Sequence, residues 1–294
     1  MLGGAVVLAA TQDFFGAAGG SSGSTQTHER VQRADRFDAA RAWRLVRLQL
    51  SYGQRPGGST QLRTMAERLR PLLPNGRFED LGPQFPGLRN IVGELPGRGP
   101  PTLIGAHYDT QSDPAGFVGA NDGAAGTAAV LELARVLRPS RARDGRAVRF
   151  VLFDGEEQPA GQESRPFETS GLRGSRSYVK EHGASAVREI VLLDYIANRG
   201  ATFRRELASD PALWARLRTA AQRAGVGALF PPGDQGVSIV DDTTPFEQAG
   251  VPAIDIIDWG YRYKQGVHDT IDKLDPHVLD GVGEAVAQLV HDGG

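Results

Sequence analysis

The 294-residue chain has no cysteine. That removes thiolate nucleophiles, disulfides and Cys-type zinc sites together, so any metal has to be held by His, Asp and Glu. A charge imbalance is also missing: the net charge of −2 gives no electrostatic basis for binding nucleic acid or an anionic membrane surface. No glycine-rich run is followed by Lys and Ser or Thr, and Gly119 to Gly126 lacks the dinucleotide-binding spacing. A GxSxG elbow is absent as well, which removes the common serine-hydrolase arrangement.

The composition, 40% hydrophobic and 23% charged, is that of an ordinary globular protein. Gly4 to Ala10 is a short apolar stretch ending in small residues, as in the tail of a signal peptide, but it lacks a basic flank and is too short to cross a bilayer. Gly16 to Thr27 reads as a flexible Gly/Ser linker. Residues 1–36 are therefore expected to be an export signal or tether, which would place the protein outside the cytoplasm, with a disordered tail as the alternative. Residues 37–294 read as one catalytic domain, with no stable membrane insertion.

Within that domain, Phe37 to Leu50 and Thr60 to Leu73 carry helical spacing. Leu88 to Leu95 and Thr102 to Ala106 read as two neighbouring strands across a Pro/Gly turn. From there strand and helix alternate. Helix Gly123 to Leu137 is followed by strand Val148 to Phe153, helix Leu172 to Glu181 and strand Ile190 to Leu193. Helices Pro211 to Ala224 and Pro245 to Ala249, strand Ala253 to Ile257 and helix Pro276 to Val290 complete the series. The strands are continuous apolar runs, as expected when both faces are buried. The expected fold is α/β: a single three-layer α/β/α domain with a mostly parallel twisted sheet and helices on both faces.

In such a sheet, ligands bind beyond the carboxyl ends of the strands. The residues that follow each predicted strand are His107-Tyr108-Asp109, Asp154-Gly155-Glu156-Glu157, Asp194, and a loop from Asp258 leading to His268; Asn121-Asp122 opens the Ala-rich helix. Singly, an aspartate there is often a helix cap or turn former, and an isolated Glu-Glu is usually a solvated turn. Jointly they place imidazole and several carboxylates at one rim, a nitrogen and oxygen donor set suited to one or two zinc ions.

The ordered segments Gly105-Ala106-His107-Tyr108-Asp109-Thr110, Gly119-Ala120-Asn121-Asp122-Gly123, Phe153-Asp154-Gly155-Glu156-Glu157, Leu193-Asp194 and Asp242 to Pro252 resemble the M28-type zinc aminopeptidases. They are similar also to the related glutaminyl-peptide cyclotransferases, and the resemblance spans roughly residues 37 to 291. It implies that Asp122 bridges two zinc ions, that His107 and Asp194 complete one site, and that Glu157 and His268 complete the other. It implies also that Glu156 is the general base. Asp109 is placed to take the second N–H of His107 and fix its tautomer. The final ligand departs from the pattern: His268 abuts Asp269-Thr270-Ile271-Asp272-Lys273-Leu274, and strict alignment to that run puts Gln265 at the ligand position. His268 is nevertheless expected, because imidazole binds zinc and an amide rarely does.

Hydrolysis and cyclisation would use the same acids. The Gly119 to Gly126 loop resembles the peptidase form, and Val267 rather than Trp precedes His268. The Gln158 to Arg173 insert and the Asp241-Asp242 pair resemble the cyclotransferases, where the first aspartate assists a proton relay. The insert reads equally as a lid or as a passive surface loop. The expected activity is removal of N-terminal residues from peptides or proteins. The alternatives are pyroglutamate formation on the same scaffold and a non-catalytic binding module.

Overall fold

The computed structural model describes residues 36–140, 145–162 and 164–293; the expected export signal and linker lie outside the described residues. Six strands form one mixed sheet: β1 (Arg77–Asp80), β2 (Arg89–Leu95), β3 (Arg98–His107), β4 (Arg146–Phe153), β5 (Glu189–Leu193) and β6 (Ala253–Ile256), in the order β1-β2-β4-β3-β5-β6. Strands β4, β3, β5 and β6 are mutually parallel, while β1 and β2 add an antiparallel edge. The four parallel strands therefore end on one rim, where the chemistry-bearing residues follow them.

The helices are α1 (Ala39–Leu50), α2 (Thr60–Leu69), α3 (Gly126–Ser140), α4 (Phe167–Ser170), α5 (Arg173–His182), α6 (Pro211–Arg223), α7 (Thr244–Gln248) and α8 (Pro276–Asp292). Side-chain alternation along the strands divides the core in two. Val148, Phe150 and Leu152 of β4, with Ile104, Val191, Ile254 and Ile256, pack against α1, α2, α3, α6 and α8. Val151 and Phe153, with Leu103, Ile190 and Leu192, pack against Tyr178 of α5 and Phe246 of α7 on the opposite face. Both faces of the parallel strands are thus covered, which is why they read as continuous apolar runs.

Several helix starts follow from local chemistry. Asp38, Ser59, Asp210 and Asp275 each accept a backbone N–H of the first helical turn, satisfying donors that have no intrahelical partner. Pro211 and Pro276 occupy first positions that need no N–H.

One expectation needs correction. Strands β2 and β3 are not neighbours, because β4 lies between them and pairs with both. The connection from β3 through α3 to β4 sets these strands side by side and parallel, leaving β2 to pair antiparallel with the outer edge of β4. Strand β1 carries no apolar run to announce it, and its residues are exposed or half-buried.

Candidate active site

The rim is built by short, strained turns that leave the strand ends. After β3, His107 is 2% exposed. Its Nε2 lies 3.2 Å from Asp122 Oδ1 and 3.4 Å from Asp194 Oδ1. Its Nδ1 lies 3.6 Å from Asp109 Oδ1 and 3.9 Å from Glu156 Oε2. Neither ring nitrogen is aligned for a hydrogen bond, so the imidazole sits buried among carboxylates that do not satisfy it.

Asp122 lies on a distorted turn, Ala120–Ala125, between Gly119 at φ 56° and Gly123 at φ 84°. A Cβ on Gly123 would stand 2.9 Å from Asp109 O and 3.0 Å from His107 Cε1, so only glycine lets this backbone pass behind the imidazole. Asp269 anchors the turn: its carboxylate accepts the backbone N–H groups of Asn121 and Asp122 at 3.0 Å, and its carbonyl accepts that of Ala120 at 3.2 Å. The Tyr261 hydroxyl donates to Asp269 Oδ1 at 2.7 Å.

Asp194 leaves β5 into Tyr195, which has φ 45°. The Tyr195 N–H donates to Asp194 Oδ1 at 2.9 Å, and its hydroxyl donates to Asp122 Oδ2 at 2.7 Å. One residue therefore holds both acids that face His107 Nε2. Nothing in the sequence distinguishes Tyr195 from a core aromatic; Asp269 is visible there only as part of the run after His268.

Beyond β4 the chain turns at Gly155 (φ 73°). The Glu156 N–H donates to Asp109 Oδ1 at 3.2 Å, so Asp109 touches both His107 and the Glu-Glu segment. Leu172 N–H donates to Glu156 O, and the Arg173 guanidinium donates to Glu157 O, both at 2.8 Å. The insert between them is an excursion with pinned ends, and it contributes Gln158, Phe167 and Glu168 to a cavity of about 470 Å³. Asp122, Glu156, Glu157, Asp194 and Asp241 add five more acids to Glu168, while Tyr195, Ile239 and Trp259 supply apolar wall.

Burial dominates the electrostatics. It pushes the carboxyls of Glu156, Glu157 and Asp241 well above their ordinary range, and neighbouring carboxylates push in the same direction. Asp194 is also raised by burial, against the pull of His107. Burial would lower His107, but Asp109, Asp122 and Asp194 together raise it well above its usual value. Asp242, beside Asp241, is pushed up to about 7, again by burial first. This is an excess of buried negative charge around one imidazole, and a cation is what would neutralise it.

The donor geometry fits a metal. Among the described residues, His107, Asp122 and Asp194 each offer a ligand atom within 4.8 Å of the others. Zinc bonds of about 2.0–2.2 Å in tetrahedral array set neighbouring ligand atoms roughly 3.4 Å apart, close to the separations found around His107 Nε2. Of the residues expected from sequence, His107, Asp109, Asp122, Glu156, Glu157, Asp194 and Asp241 come together here. His268 does not: it is exposed and lies outside the cavity lining, where Gln265 is found instead. The physical reason is the fixed position of Asp269, which holds the adjoining backbone against the Asp122 turn.

Residues 90–290 match the family model for peptidase family M28. The chain belongs to that family. Among curated relatives, it is 29% identical over 269 residues to the glutaminyl-peptide cyclotransferase-like protein of Bos taurus, covering 78% of this chain and 69% of that one. It is 28% identical over 208 residues to aminopeptidase YwaD of Bacillus subtilis strain 168, covering 64% of this chain but only 40% of the relative. Two solved structures share the fold over 90% of this chain. One is a leucine aminopeptidase precursor from Bacteroides thetaiotaomicron (TM-score 0.76, 26% identity, all of that chain covered). The other is an Acidobacteriales bacterium glutaminyl cyclase (TM-score 0.75, 25% identity, 98% of that chain covered). This M28 chain thus has relatives of both reaction types.

Proposed function

We propose that this M28 protein is a zinc-dependent aminopeptidase that hydrolyses the N-terminal peptide bond of peptides or proteins. The observation that carries the reading is Glu156, a buried carboxyl with a raised pKa that lines the same cavity as the Asp122 and Asp194 carboxylates facing His107. His107, Asp122 and Asp194 would hold the metal. When bound, that metal supplies the positive charge that acidifies a water and polarises the scissile carbonyl.

The protein's own groups do the rest. Glu156 takes a proton from the attacking water and returns it to the departing amine, a task suited to a carboxyl whose affinity for protons is raised by its surroundings. Asp109, 3.6 Å from His107 Nδ1, orients the imidazole, and Tyr195 orients Asp122 and Asp194. The acid-rich lining suits the protonated N-terminus of a substrate, and Phe167, Ile239 and Trp259 offer surface to its first side chain.

The second reading is glutaminyl cyclisation. Asp241 favours it, being a buried carboxyl in the same lining whose proton affinity is raised by burial and by Asp194 and Asp242. In that reaction the substrate's own N-terminal nitrogen attacks its side-chain amide, and the carboxyls move a proton to departing ammonia.

Aminoacyl-arylamide turnover tests the proposal. Chelation should abolish release of the arylamine, and added zinc should restore it. No release from any of a panel of aminoacyl groups, with zinc present, would reject the aminopeptidase reading.

A further inference from the structure

We propose that the chain holds one tightly bound transition-metal ion, at His107, Asp122 and Asp194, and that Gln265 leaves the Glu157 side of the cavity without a comparable second site. The inference deepens the metal-dependent reading above and rests on it.

The first observation is nitrogen supply. His107 has both ring nitrogens buried and without hydrogen bonds, facing two carboxylates. Among the described residues no imidazole is in the cavity lining itself, which offers the Gln265 amide along with Glu157. Carboxylate and amide oxygens are hard donors that suit magnesium or calcium, and without imidazole or thiolate they hold zinc poorly.

The second observation concerns the carboxylate that would be shared. Asp122 Oδ1 faces His107 at 3.2 Å, whereas Oδ2 already accepts the Tyr195 hydroxyl at 2.7 Å. A carboxylate that bridges two ions with one oxygen each has both oxygens turned to metal. Here one of them already accepts from a buried tyrosine whose backbone N–H is tied to Asp194, so a second ion would have to compete with that hydroxyl.

The third is register. His268 could replace Gln265 only if the loop moved by three residues, and the next residue forbids that. Asp269 is fully buried. It accepts from Ala120, Asn121 and Asp122 backbone N–H groups and from Tyr261, and its own N–H donates to Gly266 O at 2.9 Å. Gln265 sits at φ 57° in the turn just before it, which Gly266 N–H closes onto Tyr263 O at 3.2 Å. Moving His268 inward would break the bonds that shape the Asp122 turn, and so would dismantle the first metal site to build the second.

Metal content decides the matter independently of turnover. The full chain, loaded with excess zinc and then dialysed, should retain one zinc per chain by elemental mass spectrometry. Gln265→His should retain more zinc than the wild type, and His268→Ala should still retain one. In a calorimetric zinc titration, the wild type should show one tight site, with any further binding at least about 100-fold weaker, or about 2.7 kcal/mol by the standard conversion. Two zinc ions of similar affinity in the wild type would overturn the inference while leaving the enzymatic reading intact. Loss of an ion in His268→Ala would overturn it too. One retained zinc without any turnover would support the inference and defeat the aminopeptidase reading instead. No zinc at all would defeat both.

Discussion

Glu156 and Glu157 are adjacent, equally buried at 8% exposure, and raised in proton affinity by the same burial, yet the site gives them different surroundings. Glu156 faces His107 across 3.9 Å and hangs from Asp109 by its backbone; Glu157 lines the cavity and gives its carbonyl to the Arg173 guanidinium. Glu156→Gln keeps the shape and removes the proposed proton carrier. It should lower kcat by about 10²- to 10⁴-fold while zinc content stays at the wild-type level. Tyr195→Phe removes one hydroxyl and one hydrogen bond to a metal-holding acid. Zinc affinity by titration should fall about 10- to 100-fold, with Glu156 still competent once zinc is saturating.

Proton linkage at Asp242 belongs to the same scale. Its folded pKa of about 7, set first by burial, lies above the unfolded aspartate value of about 3.9. The folded state therefore binds more protons than the unfolded one in that interval, and the Asp242 contribution to stability falls as pH rises from about 4 to 7. Asp242→Asn should remove this slope. In metal-free protein, thermal melting between pH 5 and pH 8 should decline less steeply for the variant than for the wild type. Equal slopes would show that Asp242 titrates normally.

At the scale of elements, the Ala120–Ala125 turn and the excursion between Glu157 and Leu172 make separable contributions. Gly123→Ala forces a Cβ against Asp109 O and His107 Cε1 at a positive φ. It should destabilise the protein by more than about 1 kcal/mol and weaken zinc binding together with it, measured by melting and titration. Replacing residues 159–170 with a short glycine linker should behave differently. The excursion supplies Phe167 and Glu168 to the cavity, and none of its described residues joins the His107 cluster, so KM should rise while zinc retention is unchanged.

The elements also show what a reader of sequence can recover. Strands β3 to β6 and helices α3, α5, α6 and α8 are legible because a buried parallel strand is an apolar run and a covering helix has an apolar stripe. His107, Asp122, Glu156, Glu157 and Asp194 are legible because they directly follow those strands or open α3. Adjacency of β2 and β3 is not: it depends on the β3-α3-β4 crossover, a long-range feature that a Pro/Gly turn cannot reveal. His268 misleads for a related reason. Residue chemistry favours the imidazole, but Asp269, hydrogen-bonded to a turn almost 150 positions earlier, decides which residue of the loop reaches the cavity. Tyr195 is not legible, because a positive φ and a hydroxyl contact set it apart, and neither has a sequence signature.

Across the whole molecule, the sheet gathers buried carboxyls at one rim, where the apolar core gives them little compensation. Metal binding to the folded chain alone should add stability as RT ln(1 + [L]/Kd), about 4 kcal/mol at a thousandfold excess over Kd. Chelator should accordingly lower the melting temperature and zinc should restore it, whereas His107→Ala should melt at the same temperature with or without zinc.

Under the proposed function this scaffold delivers water, and not a substrate nitrogen, to a carbonyl at a peptide's N-terminus. A peptide beginning with glutamine offers both reactions at once, so mass spectrometry of its products after incubation with zinc-loaded protein is the most direct measurement. Free glutamine and a peptide shortened by one residue are the predicted products. A full-length peptide carrying N-terminal pyroglutamate, with no free glutamine, would contradict the account.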